Sequence, residues 1–266
     1  MGLLLAACIT LVAPIQDAEI SMPVTTIPVA STEDRAAAAG WLDGRNWRLQ
    51  HLDCVALATL PSHDLVMLGD SITQSFGGDG RRTGQVARAI LDELFEGLRI
   101  ANMGISGDRT QHLLWRLENG CLDGPVPGSY LVAIGTNNIG HDEPGEIASG
   151  ISAIIRSIRS RHPEVPILLC PILPRGFEPE DPSRLDVERV NERLSSLPEE
   201  SGVHLIDCHR HFVNEDGSLR RDRYATDGLH LAPAGYRAWG KAILGAHRLA
   251  TDTEEQDRVR TPAQDD

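Results

Sequence analysis

Between Asp64 and Thr73 the chain reads DLVMLGDSIT, and its character changes at a single residue. Leu65, Val66, Met67 and Leu68 form an unbroken apolar run, the pattern of a strand buried on both faces of a parallel sheet. Gly69 then breaks the run into a polar turn that carries the hydroxyl of Ser71. A serine just past a strand's carboxyl end stands on the rim where α/β sheets bind ligands, and a helix starting there aims backbone N–H groups at negative charge. Alone, Gly69-Asp70-Ser71 is equally an ordinary turn with a helix-capping serine, so its partners must come from the rest of the chain.

The same passage from apolar run to glycine turn recurs. Residues 98–103 end in Gly104-Ile105-Ser106-Gly107-Asp108, and residues 130–134 end in Gly135-Thr136-Asn137-Asn138. Two more strand-like runs follow at 166–170 and 203–206. Helical spacing is expected over 47–60, with Trp47, Leu49, Leu52, Val55, Leu57 and Ala58 as its stripe, and over 83–95, with Val86, Ile90, Leu91, Leu94 and Phe95. A further helix opens with Asp108 as N-cap and Gln111 three residues on, and others cover 144–161, 183–197 and 233–249. Strands alternating with helices imply an α/β fold with a doubly wound parallel sheet.

In such a sheet the carboxyl ends share one edge, so Ser71, Gly107 and Asn137 can converge. Acyl transfer develops an alkoxide, and the N–H groups of Ser71 and Gly107 with the Asn137 amide are the donors an oxyanion hole needs. Gly107 suits the role because a glycine backbone approaches substrate closely. Ser71 also needs a base, and Asp227-Gly228-Leu229-His230 supplies one: Asp227 can hold Nδ1–H of His230 and leave Nε2 for the hydroxyl. The plainer reading of His230 is a helix-start or surface histidine, and Asp222 is the rival acid.

These four blocks resemble the SGNH, or GDSL, hydrolase superfamily, whose blocks carry Ser, Gly, Asn and His in the order Ser71, Gly107, Asn137 and His230. The likeness runs from about Trp47 to Leu249. Residues 107–120 (GDRTQHLLWRLENG), Gly135-Thr136-Asn137-Asn138 and Leu173-Pro174-Arg175-Gly176 are similar to the branch of intracellular platelet-activating-factor acetylhydrolase catalytic subunits and their bacterial relatives. Asn138 stands where many superfamily members carry Asp, and Ser106 where this branch usually has Gly. The resemblance implies a flavodoxin-like sheet of about five parallel strands and removal of short acyl groups, chiefly acetyl, from a small-molecule, carbohydrate or lipid ester. The Ser-His-Asp mechanism calls for no metal or organic cofactor. The alternatives are a broader lysophospholipase or thioesterase activity, and a non-catalytic carbohydrate-binding domain on the same fold.

Composition narrows the partners. A net charge of −13 argues against nucleic acid, because polyanion binding needs clustered Lys and Arg. The segment 251–266, with six acids and two arginines, reads as a disordered acidic tail. Cys8, Cys54, Cys121, Cys170 and Cys208 lack metal-site or disulfide spacing and read as small buried hydrophobes. Asp207-Cys208-His209-Arg210-His211 also lacks known ligand spacing and reads as a solvated loop. No apolar run approaches the ~20 residues of a membrane span. Residues 3–12 are instead the size of a signal-peptide core, and Leu5-Ala6-Ala7-Cys8 resembles a lipoprotein box. Residues 1–43 are thus expected to be signal segment and linker, giving export with lipid anchoring at Cys8 as a variant, or a cytoplasmic chain if the run is not a signal. The hydrolase domain is expected over 44–250, Arg109 and Arg175 either line the crevice or pair with surface acids, and the oligomeric state, a homodimer included, is left open.

Overall fold

A computed structural model describes residues 22–33, 46–79, 85–195 and 202–260. The segment read as a signal, with Cys8, lies outside them, as does the tail beyond Arg260. Five parallel strands, β1 Leu65–Gly69, β2 Ile100–Asn102, β3 Tyr130–Ala133, β4 Ile167–Leu169 and β5 Val203–Leu205, pair in the order β2-β1-β3-β4-β5. The expected α/β sheet is therefore present, with flavodoxin-like topology.

Every residue of β1 is buried because helices cover both faces. Val66 and Leu68 join a core with α1 (Trp47–Ala58), α4 (Thr110–Arg116), α5 (Pro144–Arg161) and α6 (Pro182–Ser195). Leu65 and Met67 face the opposite layer, packed by α2 (Ser71–Phe76), α3 (Arg88–Leu94) and α7 (Pro233–Arg260). Alternate side chains of one strand thus feed two cores, as the twofold repeat of a strand requires. From β1 the chain crosses to β2 on one side and then returns to β3 on the other. This reversal opens a crevice at the carboxyl ends of β1 and β3.

Several expectations shift. In α1 the buried side chains are Trp47, Gln50, His51, Cys54, Leu57 and Ala58, while Leu49 and Leu52 are exposed. The stripe turns because Gln50 goes inward to accept a hydrogen bond from Gln74. The helix expected over 83–95 begins only at Arg88, and Val86 is exposed outside it; Thr83 and Gly84 lie outside the described residues. Part of the expected linker is packed on the domain. Thr25 is fully buried and donates to Glu146 O, Val29 N–H donates to Gln111 O, and Thr110 Oγ1 donates to Thr25 O. At the other end α7 is helical to Arg260, well past the Leu249 expected, so the first part of the acidic segment continues a helix instead of leaving as a disordered tail.

Candidate active site

Ser71 opens α2 directly after β1, and Asp70 is the cap, its Oδ1 accepting from Ile72 N–H at 3.0 Å. Six residues make a marginal helix, so its ends are held from outside. Asn102, at the end of β2, donates from Nδ2 to Thr73 O (2.6 Å) and Gly77 O (2.7 Å). Gln74, one turn past Ser71, accepts the backbone N–H of Ser106 at 2.6 Å. Ile105 N–H donates to Gly69 O at 3.1 Å, so the loop bearing Gly107 is tied at two successive residues, to the β1 end and to α2.

Gly107 has φ of +83°, a backbone that side chains resist, which supplies the local reason for glycine. Among the described residues, no backbone carbonyl accepts the N–H of Gly107 or Ser71. Asn137 lies in the loop after β3, and its Nδ2 donates to Asp108 O at 2.9 Å. An amide carries two donor hydrogens, so one is left for another acceptor.

Asp108 is not the expected N-cap. Arg109 takes that position, with its N–H on His112 Nδ1 at 3.2 Å, while Asn138 Oδ1 accepts from Thr110 N–H at 3.1 Å. Asp108 is instead fully buried, 2.7 Å from Arg116 Nη2, with Trp47 Nε1 donating to its other oxygen at 2.6 Å. Arg116 also donates to Met103 O at 2.7 Å and Gly69 O at 3.3 Å, so one guanidinium joins the ends of β1 and β2 to the residue after Gly107. Burial opposes its charge and Asp108 outweighs that, holding the guanidinium protonated. Sequence reasoning missed this group, although helical spacing already puts Arg116 on the face of Leu113 and Leu117.

The histidine comes from the loop before α7. Ala225 N–H donates to His230 O and Gly228 N–H to Ala225 O, closing a tight turn in which Gly228 takes φ of +63°. Asp227 Oδ1 accepts the N–H groups of Leu229 (3.0 Å) and His230 (2.9 Å), and its Oδ2 lies 2.7 Å from His230 Nδ1. Burial works against ionisation of Asp227, but these bonds prevail and hold the carboxyl below the usual carboxylate range. His230 Nε2 lies 3.0 Å from Ser71 Oγ. Ser71, His230 and Asp227 therefore form one hydrogen-bonded chain, and Gly107 meets Asn137 through Asp108. Asp222 takes no part, lying 3.7 Å from Arg220.

Asp70 is buried, and burial pushes its carboxyl up to about 7 against the Ile72 N–H bond and the His230 charge. A cavity of about 20 Å³ lies at the ends of β1, β3 and β4, lined by Asp70, Ile72, Thr136, Leu173 and Trp239 among others. A groove of about 640 Å³ beside α7 touches none of the five site residues. Around the buried Cys208, Asp207 and Arg210 are exposed and form an ion pair, and among the described residues no cluster of three metal-ligating side chains occurs. Cys54, Cys121, Cys170 and Cys208 are buried free thiols. No helix of the described residues is long and apolar enough to cross a membrane.

A parallel α/β sheet with a serine, histidine and aspartate in hydrogen-bonded series at its switch point has the arrangement of a serine hydrolase. Residues 67–238 match the GDSL-like lipase/acylhydrolase family. Over 225 residues the chain is 37% identical to platelet-activating factor acetylhydrolase IB subunit alpha1 of Pongo abelii, covering 83% of this chain and 91% of that one. Among solved structures, a GDSL-like lipase from Bacteroides thetaiotaomicron superposes with a TM-score of 0.62 at 18% identity, covering 77% of this chain and 98% of that one. Axe2, an acetylxylan esterase from Geobacillus stearothermophilus, gives 0.57 at 22% identity, covering 71% and 96%. The chain belongs to the GDSL-like lipase/acylhydrolase family and is a carboxylic ester hydrolase.

Proposed function

We propose that the chain is a serine esterase that removes short acyl groups, acetyl above all, with Ser71 as nucleophile, His230 as general base and Asp227 as the acid that orients it. The observation that carries this reading is the chain from Ser71 Oγ through His230 to Asp227, at 3.0 and 2.7 Å. His230 Nε2 takes the hydroxyl proton as Oγ attacks the ester carbonyl. The alkoxide is met by the N–H groups of Ser71 and Gly107 and the free hydrogen of the Asn137 amide, and each such donor contributes about 3 kcal/mol. The imidazolium then protonates the departing alcohol, leaving Ser71 acylated. Water then attacks the acyl carbonyl as it gives a proton to His230, and His230 returns that proton to Ser71 Oγ as the acid leaves.

An acetylhydrolase and an acetylxylan esterase among the similar proteins support the same acyl group. The substrate in this reading is an acetylated carbohydrate or an acetylated lipid.

Hydrolysis of p-nitrophenyl acetate, butyrate and octanoate by wild type and Ser71→Ala tests this. Rates should fall steeply beyond acetate, and Ser71→Ala should lose about a thousandfold or more. Equal rates on octanoate would favour the broader lipolytic reading, and ester turnover independent of Ser71 would sink the mechanism.

A further inference from the structure

Positive charge is scarce on this chain, which sets 25 Lys and Arg against 38 Asp and Glu, so a place where cations gather calls for a reason. Arg109 lies 3.4 Å from Glu33 and Arg175 donates to Thr136 O at 2.8 Å, so both are held by the fold. The runs His209-Arg210-His211 and Arg220-Arg221-Asp222-Arg223 are different. An antiparallel bridge between Val213 and Leu219, with Arg220 N–H donating to Phe212 O at 3.0 Å, folds the second run back on the first. Arg223 then donates from Nη1 to His211 O, and its own carbonyl accepts from Ala232 N–H at 3.0 Å. A Cβ at Gly235 would lie 2.2 Å from Arg223 O, so the two runs sit against the first turn of α7.

Both runs line the groove of about 640 Å³ beside α7. From Ala234 to Ala246 the groove follows α7 for about 18 Å. Its walls are apolar, with Leu205 and Ile206 on one side and Ala238, Ala242 and Ala246 on the other. Among the described residues no Phe, Tyr or Trp lines it, so it offers no ring on which a sugar or a base would stack. Its charge gathers in Arg210, Arg223, Arg237 and Lys241, against Asp207 and Asp222. Asp207 holds Arg210 at 3.3 Å, Asp222 lies 3.7 Å from Arg220, and Glu93 takes Arg237 at 2.6 Å. Among the described residues no carboxylate lies within ion-pair distance of Arg223 or Lys241. Burial and then the Arg220 charge hold the Arg223 guanidinium below its usual range, and burial and then Arg210 and Arg223 do the same to His211. An anion at this end of the groove would offset that crowding of like charge.

We propose that the groove is a second binding site, separate from the Ser71 crevice, that takes an aliphatic carboxylate with its head on Arg223 and its chain along the apolar walls. The volume lies in the range of small-molecule sites, and one charged end on an otherwise apolar cleft is the arrangement that orients an amphiphile. The net charge of −13 repels anions at long range, so the affinity would come from the local cations and the walls. The site needs no reaction at Ser71 and stands whether or not the esterase reading does.

Calorimetric titration of the full chain at neutral pH with decanoate, butyrate and decanol tests this, each kept below the concentration at which it self-associates. Decanoate should bind at least tenfold more tightly than butyrate, because the longer chain leaves water for the groove. It should bind roughly threefold to tenfold more tightly than decanol, which has the chain without the charge. Arg223→Gln should remove the preference over decanol, and Ala238→Phe, which fills the groove, should weaken decanoate by tenfold or more. No decanoate binding, or affinity for decanoate unchanged in Ala238→Phe, overturns the proposal. Should Arg223→Gln not fold, salt decides on the wild type: raising ionic strength from about 0.02 M to about 0.5 M must erode the preference over decanol, and a salt-insensitive one overturns it. Competitive inhibition of p-nitrophenyl acetate hydrolysis at the decanoate concentrations that saturate binding would put the ligand in the Ser71 crevice and overturn it too. Binding to vesicles of anionic phospholipid without binding of decanoate would make the groove a membrane contact instead. Ser71→Ala should bind decanoate as the wild type does, so loss of esterase activity and loss of this site are read separately.

Discussion

Asp70 lies between the β1 end and the Ser71 hydroxyl, and its burial has a sign that can be measured. Its folded value of about 7 stands above the ~3.9 of an unfolded aspartate, so the folded state keeps a proton that the unfolded state loses. The stability from this group is present in full below about pH 4 and is lost as pH rises through about 7. Between pH 5 and pH 8 the wild type should lose on the order of 2 kcal/mol that Asp70→Asn does not lose. Urea unfolding at the two pH values checks this, and equal losses in both proteins would show Asp70 ionised throughout. Arg116 is a second single-residue case. Replacing it by Met leaves Asp108 buried without its counter-ion, at a cost of about 3–5 kcal/mol, part of which Asp108→Asn added in the same chain should restore. A double variant no more stable than Arg116→Met would count against the pair. Residue type and spacing brought forward Ser71, Gly107, Asn137, Asp227 and His230 as candidates, and the structure sets Ser71, His230 and Asp227 in hydrogen-bonded series. Asp108 was misread because an aspartate before a helical stretch is usually its cap, and local pattern does not show that an arginine two turns on will be buried against it.

The elements behave differently from the residues they carry. The helix α2 is too short to be stable alone: Asp70 caps it, Asn102 of β2 binds the carbonyls of Thr73 and Gly77, and its own Gln74 is bound by Gln50 of α1 and the Ser106 N–H. Asn102→Ala removes two bonds to carbonyls and should cost about 1–3 kcal/mol in thermal or urea unfolding. Because Ser71 rides on that helix, kcat on p-nitrophenyl acetate should also fall by roughly tenfold or more. Unchanged kcat with lowered stability would mean that α2 keeps its place without Asn102. Helix α5 was legible to its ends: Pro144 at its first position and a run of isoleucines at helical spacing mark it, and it spans Pro144–Arg161 as expected. The start of α3 was not, because Val86 matches the helical period yet lies outside the helix.

Across the whole molecule, the least legible part is the segment 22–33, which composition marked as linker. Thr25 and Val29 bind it to α4 and α5, with the Thr25 carbonyl satisfying the buried Thr110 hydroxyl. A chain beginning at residue 34 should therefore melt several degrees lower, about 2–5 °C for a loss near 1–2 kcal/mol, by calorimetry. An unchanged melting temperature would show that the segment lies on the domain without stabilising it.

What the sequence determined by itself was the alternation of buried strands and amphipathic helices, and hence an α/β sheet with its chemistry at the strand ends. Those features are local: apolar periodicity, a glycine where the backbone must turn, and an Asp three residues before its His all act over a few positions. The tertiary structure decided what depends on distant partners. It set Asp108 against Arg116, turned the α1 stripe inward at Gln50, laid residues 22–33 on α4 and α5, and separated Arg109 on Glu33 from Arg175 on Thr136. A buried polar group takes whichever partner the completed fold brings within hydrogen-bond distance, because leaving it unpaired costs more than any local preference yields.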